Sequence, residues 1–203
     1  YIALDNRYFE ALLNTVLLSL MSAVIQTFVC CLIGYGLAKF KFKGNKLVMI
    51  LVIVTMVIPH GALGISFSKH FAAFDFMKVI AWDYKGILQL VTGKPLNLLD
   101  SFWPFIILSV FGLAFKNGLY IFIFRQFYRG VPDELEEAAY IDGTGVFKTF
   151  IQIILPLSIP MMTTVFLFSF SWQWTDTFYT ASPFFTTSDI HLLPNIVEMP
   201  QSL

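Results

Sequence analysis

Charged residues are scarce in this sequence. Only 13% of its 203 residues are Asp, Glu, Lys or Arg, and 57% are hydrophobic, against about 25% and 45–50% in a typical soluble domain. Thirteen basic and thirteen acidic residues cancel to a net charge of zero, which removes the electrostatic case for nucleic acid as a partner. One core cannot enclose so much apolar surface, so the composition predicts contact with lipid and argues against a soluble enzyme.

The sequence also lacks motifs for metal, nucleotide and covalent chemistry. Its two cysteines, Cys30 and Cys31, are adjacent within an apolar run and match neither a disulfide framework nor a zinc site. The three histidines are far apart and show no HExxH pattern, and no GxxxxGK[ST] phosphate-binding loop occurs. We therefore expect no catalytic residue, bound cofactor or metal in this chain.

Apolar runs long enough to cross a bilayer occur four times. A membrane-spanning helix needs about 20 mostly apolar residues, and such runs cover residues 11–38, 47–67, 102–124 and 157–177. Residues 68–101 carry several charges, so we expect an external amphipathic helix and loop there. The sequence thus predicts an all-α, polytopic membrane protein with a single domain over the whole chain.

Lysine and arginine cluster in two of the connecting segments. Four lysines fall within residues 39–46, and Arg125, Arg129 and Lys148 lie between the third and fourth runs. Loops enriched in Lys and Arg face the cytoplasm. We therefore expect residues 39–46 and the loop at residues 125–156 in the cytoplasm, with both ends of the chain outside.

The loop at residues 125–156 contains the pattern of a short helix. Pro132 and Asp133 suit its first turn, because proline needs no N–H there and a carboxylate complements the helix dipole. Gly143 favours the left-handed conformation that ends a helix. Four residues at i, i+3, i+4 and i+7 form one stripe: Leu135, Ala138, Ala139 and Asp142. Such a ridge, flanked by carboxylates, suits a groove on another protein.

The same loop resembles the EAA signature of bacterial ABC importer membrane subunits. The matching residues follow the family spacing without a gap: Glu137, Ala138, Ala139, Gly143, Ile153, Leu155 and Pro156. The Ile-Asp-Gly at residues 141–143 and the run IILPLSIP are similar to the carbohydrate branch, in particular the second permease of the maltose type. That family would place about one helix before Tyr1 and another after Leu203, so we expect a segment of a longer chain.

The resemblance implies a permease of the ABC type I importer kind, a polytopic helical bundle with a cytoplasmic coupling helix between two spans. In the bacterial inner membrane it would pair with a second permease, either a copy or a different subunit. It would bind a dimer of cytoplasmic ATPases, which hold the ATP, and receive a sugar or oligosaccharide from an extracytoplasmic solute-binding protein. The residues expected to contact the ATPases are Glu134, Leu135, Glu137, Ala138, Ala139, Asp142 and Gly143.

Polar and aromatic residues in the spans are candidates for the substrate path: Lys116, Asn117, Gln26, Trp172, Trp174 and Asp176. Lys116 leads, because a charge inside the membrane costs on the order of 3 kcal/mol unless it faces water or a partner. The alternative is a helix broken at Gly112 or Gly118, with Lys116 paired to a neighbouring helix. Gln26 can equally hydrogen-bond another helix, and the tryptophans can anchor the chain at the membrane boundary.

Two other classes of function stay open on the residues alone. An ion-gradient-driven carrier would use Lys116 and an outer acid as coupling groups, but it leaves the EAA loop unexplained. A membrane enzyme would need a converging acid, base and nucleophile, for which the sequence offers no pattern.

Overall fold

The computed structural model describes residues 6–75, 94–180, 184–185 and 190–194. Regular structure within these ranges is helical, apart from one isolated β-bridge between Phe74 and Leu96. The prediction of an all-α chain is confirmed.

The helices are α1 (Asn6–Lys39), α2 (Asn45–Val57), α3 (His60–Ala72), α4 (Trp103–Val110), α5 (Asn117–Gly130), α6 (Glu134–Ile141), α7 (Val146–Thr149), α8 (Leu155–Leu157) and α9 (Ile159–Trp174). A π-helical turn, Phe150–Ile154, joins α7 to α8.

Within the described residues, only α1 is long and apolar enough to cross a bilayer unaided, over Tyr8–Lys39. Two helix pairs meet the same test when their members are combined: α2 with α3, bent by 105°, and the α7–α8 segment with α9, bent by 72°. The first bend lies at Pro59, which stands between α2 and α3, because the residue before a proline avoids the helical conformation. That residues 47–67 and 157–177 cross the membrane stays a prediction.

The third predicted span, residues 102–124, is not one helix. Residues 111–116 separate α4 from α5, and both Gly112 (φ +69°) and Lys116 (φ +66°) adopt the left-handed conformation. That conformation cannot continue a right-handed helix. The continuous helix is therefore corrected to a helix break, which the sequence offered as the alternative at Gly112.

The predicted external segment, residues 68–101, is described only in part. The helix α3 continues into it as far as Ala72, and the bridge between Phe74 and Leu96 follows. Residues 76–93 lie outside the described residues, so the amphipathic helix stays a prediction.

The chain divides into two compact units. The first, which we call the terminal unit, consists of Tyr1–Leu20, Ile58–Ile107 and Gln173–Leu203. The second, which we call the EAA unit, consists of Met21–Val57 and Leu108–Trp172.

Each unit has its own packing. In the terminal unit, the buried ring of Phe184 contacts Phe71 and Phe105 edge to face, at centroid distances of 5.5 and 5.3 Å. In the EAA unit, the buried core includes side chains from α1, α2, α5 and α9. Burial of these apolar side chains away from solvent is the main stabilising contribution within each unit.

Two glycines in the EAA unit allow helices to pack at short range. A Cβ atom on Gly34 of α1 would lie 2.5 Å from the Cβ of Phe124 in α5. A Cβ atom on Gly118 of α5 would lie 2.4 Å from Oγ1 of Thr55 in α2. Since no real Cβ tolerates such distances, glycine at these positions fixes how closely α5 approaches both helices.

Candidate functional site

The helix predicted in the EAA loop is α6. It begins two residues after Pro132 and ends before Gly143, whose φ of +78° turns the chain. The amide of Gly143 donates to the carbonyl oxygen of Tyr140, and the amide of Thr144 to that of Ala139, each at 3.0 Å. These bonds satisfy the end of α6, and α7 starts immediately afterwards. Two short helices thus meet at a sharp corner, as the sequence predicted.

Apolar side chains project from this corner. Ile141 is 86% exposed and Phe147 is 74% exposed. Together with their exposed apolar neighbours they form what we call the front surface: Leu135, Tyr140, Ile141, Val146 and Phe147. The carboxylate residues Glu134, Glu137 and Asp142 are exposed beside it. An apolar patch with a charged rim is typical of a contact site for another protein.

Ala139 was expected among the contact residues, and the structure corrects this expectation. Ala139 is only 5% exposed and faces the interior together with Glu136. One carboxylate oxygen of Glu136 is buried without a hydrogen-bond partner. Because residues three apart share a helix face, positions 136 and 139 define the inner side of α6. Leu135, Ala138 and Asp142 stay exposed.

Sequence reasoning named only Leu135 of the front surface. Ile141 and Phe147 were missed because they lie outside the stripe that the helical spacing predicted. A usable signal was present, since both are large apolar residues close to Gly143, one on each side of it.

A lysine ties the segment before α6 to the end of α1. The ammonium group of Lys39 donates to the carbonyl oxygen of Val131 at 2.7 Å and to the carboxylate of Asp133 at 2.5 Å. The side chain of Lys39 is 6% exposed, whereas that of Asp133 is 78% exposed. The hydrogen bond and the positive charge of Lys39 lower the pKa of Asp133. The start of the EAA helix is therefore held by α1 as well as by its own chain.

A buried aromatic group supports the same region. The ring of Tyr35 in α1 lies 5.4 Å from that of Tyr128 in α5 and 4.8 Å from that of Phe150. The hydroxyl of Ser158 donates to the hydroxyl of Tyr128 at 2.9 Å. We call these four residues the rear cluster. It joins α1, α5, the π-helical turn and the chain that enters α9.

The second candidate region is the helix break at residues 111–116. The amides of Leu113 and Ala114 both donate to the carbonyl oxygen of Leu108, at 2.8 and 3.0 Å. The amide of Asn117 then donates to the carbonyl oxygen of Ala114 at 3.0 Å. The break is therefore a hydrogen-bonded turn rather than frayed helix.

Lys116 is placed at the end of this turn. Its ammonium nitrogen lies 4.9 Å from the ring centroids of both Phe115 and Trp172, a distance at which cations attract aromatic faces. The neighbouring Asn117 is 1% exposed, and neither atom of its side-chain amide has a hydrogen-bond partner. The structure thus brings together three predicted path residues: Lys116, Asn117 and Trp172. It also shows the arrangement that the sequence offered as the alternative, a break at Gly112 with Lys116 paired to a neighbouring helix.

Gln26 hydrogen-bonds residues of other segments, which was the predicted alternative to a place in the substrate path. Its amide oxygen accepts a hydrogen bond from Ser169 at 2.8 Å, and its amide nitrogen donates to Ser109 at 3.4 Å. It is 2% exposed. The amide makes one hydrogen bond at each end and is buried, so Gln26 links α1 to the segments that carry Ser109 and Ser169.

Trp174 and Asp176 belong to the terminal unit. The carboxylate of Asp176 accepts hydrogen bonds from the backbone amides of Phe178 at 2.9 Å and Tyr179 at 3.3 Å. With 3% exposure, Asp176 is a buried turn-forming residue. These contacts favour a structural role for Asp176, and its contact with a sugar stays a prediction. Trp174 is partly buried at the end of α9.

Residues 31–190 match the family described as "Binding-protein-dependent transport system inner membrane component". The chain belongs to this family. It is therefore a multi-pass component of a membrane transport system rather than a catalytic subunit. The family supports the importer interpretation and gives no support to an ion-gradient-driven carrier.

Relatives with described cargoes span more than this chain does. The chain is 28% identical to the "Polygalacturonan/rhamnogalacturonan transport system permease protein YtcP" of Bacillus subtilis, over 89% of the chain and 53% of that protein. It is 29% identical to the "Alpha-glucoside transport system permease protein AglG" of Rhizobium meliloti, over 82% and 39% respectively. The "Arabinooligosaccharides transport system permease protein AraQ" of Bacillus subtilis is 29% identical, over 75% and 45%. The chain thus spans about half or less of these relatives.

A solved structure shares the fold. It is described as a bacterial ABC transporter involved in the import of the acidic polysaccharide alginate, and it matches with a TM-score of 0.63. The match has 19% identity and covers 86% of this chain and 52% of that chain. At this identity the likeness concerns the fold, and it agrees with the predicted helical permease architecture.

Proposed function

We propose that the chain is the membrane-spanning part of a permease subunit in an ABC importer for a sugar or oligosaccharide. In this proposal α6 is the coupling helix, which enters a cleft on a cytoplasmic ATPase. The observation that carries the proposal is the front surface, in which Ile141 and Phe147 are 86% and 74% exposed on a corner that is buried behind. Two such side chains on one short corner mark a contact with another protein or with lipid, and the carboxylates Glu134, Glu137 and Asp142 beside them favour a protein.

The contacts of Lys39 and of the rear cluster explain how motion of α6 would reach the membrane helices. ATP binding closes the two ATPases, and α6 moves with the cleft that holds it. Because Lys39 and the rear cluster bind the loop to α1 and α5, displacement of α6 is passed to those helices as a rigid-body motion. ATP is bound and hydrolysed on the partner ATPases, and this chain supplies only the coupling between sites.

The other partners follow from the family and its relatives. The permease pairs with a second permease subunit and receives its cargo from an extracytoplasmic solute-binding protein. By their descriptions, the relatives named above belong to transport systems for polygalacturonan/rhamnogalacturonan, alpha-glucosides and arabinooligosaccharides. These names support a carbohydrate cargo here. Lys116, Asn117 and Trp172 line the path in this proposal, whereas Gln26 and Asp176 have structural roles.

Reconstituted uptake tests the proposed function. The full-length subunit would be assembled with its second permease, ATPases and solute-binding protein in proteoliposomes. Radiolabelled arabino-, galacto- and galacturono-oligosaccharides would serve as probes. We expect uptake that requires ATP and the binding protein and that a protonophore leaves unchanged. Uptake without ATP that collapses with the protonophore would show an ion-gradient-driven carrier instead.

A further inference from the structure

We propose that Lys116 determines cargo specificity, and that the cargo is an acidic oligosaccharide whose carboxylate binds the ammonium group of Lys116. The inference rests on the proposed function and deepens it by naming the substrate class. It is carried by the charge, the backbone and the aromatic rings at the helix break.

Lys116 is the one formally charged residue in the apolar segments of the EAA unit. Residues 21–38, 47–57, 108–124 and 157–172 contain no Asp, Glu or Arg and no other Lys, and all of them lie within the described ranges. No carboxylate in these segments can neutralise Lys116. Residues 102–124 are predicted to lie in the membrane, and an ionisable residue there faces a water-filled cavity or a polar partner. The charge therefore points to a ligand of opposite sign.

The irregular backbone at the break also indicates that the substrate path passes Lys116. Irregular backbone at membrane depth is tolerated where it is buried in protein or lines a cavity. Lys116 itself has a φ of +66° and immediately precedes the first residue of α5, so a lysine is held in a conformation that few non-glycine residues adopt. The positive end of the α5 dipole adds to the charge of Lys116 and favours an anion further. The side-chain amide of Asn117 next to it is buried and has no hydrogen-bond partner within the described residues.

The aromatic rings explain why the anion would be a saccharide. The rings of Phe115 and Trp172 pack edge to face with their centroids 5.7 Å apart, and each centroid lies 4.9 Å from the Lys116 ammonium nitrogen. Trp172 is 45% exposed. Apolar C–H faces of a sugar ring can pack on such aromatic faces. A neutral sugar would gain these contacts but leave the ammonium group without a charged partner. A uronic acid would gain both, because a carboxylate forms charge-assisted hydrogen bonds with ammonium.

Binding of matched acidic and neutral saccharides tests the inference. The complete transporter would be purified in lipid nanodiscs without its solute-binding protein. Equilibrium binding would be measured for trigalacturonate, trimannuronate and the methyl ester of each, since the ester removes the charge and keeps the sugar shape. Wild type would be compared with Lys116→Gln and with Lys116→Arg, which keeps the charge. Co-purification of the ATPases would show that each variant is assembled.

We expect at least one acid to bind wild type about tenfold or more tightly than its ester. Lys116→Gln would remove that difference, and Lys116→Arg would keep most of it. Equal binding of each acid and its ester by wild type, or an unchanged preference in Lys116→Gln, would overturn the inference and show that the cation–π contacts are purely structural. The proposed function fails separately, if the reconstituted transporter takes up no saccharide in an ATP-dependent manner.

Discussion

The front surface and the helix break depart from the usual distribution of polarity in opposite ways. At the front surface, large apolar side chains such as Ile141 and Phe147 project outward from a polar loop. At the break, Lys116 and Asn117 lie within a segment that is otherwise apolar. Each departure is unfavourable for the isolated chain. This contrast supports the two proposals made above, that a protein covers the front surface and that a polar cargo binds at the break.

The helix α5 connects the two regions. It begins directly after Lys116 and ends at Gly130, shortly before α6. Its packing against α1 depends on Gly34 and its packing against α2 on Gly118. A rigid α5 would therefore allow the front surface and the break to respond to each other.

The largest effect is expected from charging the front surface. Replacing both Ile141 and Phe147 with Asp should weaken ATPase association by roughly a thousandfold. Each side chain, if buried in the interface, contributes about 2 kcal/mol to binding. Co-purification of the ATPases and ATP-driven uptake would both be measured. The control is Phe42→Asp, because Phe42 is also exposed but lies in the other predicted cytoplasmic loop, at residues 39–46. If the double variant binds the ATPases as tightly as wild type does, the front surface is not their contact site.

The next effect concerns α5 as the link between the regions. Gly34→Val should destabilise the subunit by about 1–3 kcal/mol, because the new side chain overlaps Phe124. Gly36→Val is the matched control, two residues further along α1, where a Cβ meets nothing within 4 Å. Thermal unfolding of the two variants in detergent would be compared. Equal stability would mean that α1 and α5 do not pack as described.

A smaller effect is expected where the loop is held from behind. Lys39→Met removes the donor to Val131 and should destabilise that contact by about 1–3 kcal/mol, since the carbonyl oxygen loses a charged partner. The front surface is untouched, so the ATPases should still co-purify while sugar uptake per ATP hydrolysed falls. Lys43→Met is the control, because Lys43 is an exposed lysine in the segment that follows α1. Unchanged uptake per ATP hydrolysed in Lys39→Met would show that the contact with α1 does not transmit the motion of α6.

The smallest effect is the pH dependence of the same contact. Because Lys39 lowers the pKa of Asp133, the ion pair is intact above the ordinary aspartate pKa of about 3.9 and is lost as pH falls through the lowered value. Carbodiimide labelling of Asp133, followed by mass spectrometry between about pH 2 and 6, would report its protonation. We expect the labelling midpoint to rise in Lys39→Met. A midpoint that does not move would contradict the ion pair.

Local chemistry in the loop could be read from the sequence. Gly143 ends α6 in the left-handed conformation, as its position predicted, because only local backbone preferences decide that turn. The face that α6 buries could not be read in the same way. Ala139 lies on the buried side of α6, and the spacing of small residues did not indicate which side of the helix is buried.

At the break at residues 111–116, too, only part of the structure could be predicted from the sequence. Composition indicated an apolar span and an unusual lysine, and Gly112 suggested a possible break. The stacking of Lys116 on Trp172 joins residues 56 positions apart, which no local pattern specifies. Likewise, the occupied amide of Gln26 depends on Ser109 and Ser169, so its structural role emerged only from the folded chain.

The central claim is that the front surface lies in the cytoplasm and is covered by an ATPase. Labelling of Ile141→Cys with a membrane-impermeant maleimide tests it directly, because the native Cys30 and Cys31 are fully buried. The claim predicts labelling in inside-out vesicles, none in right-side-out vesicles, and protection when the ATPases are bound, whereas Phe42→Cys should label with or without them. Labelling of Ile141→Cys from the outside, or labelling that bound ATPases do not reduce, would contradict it.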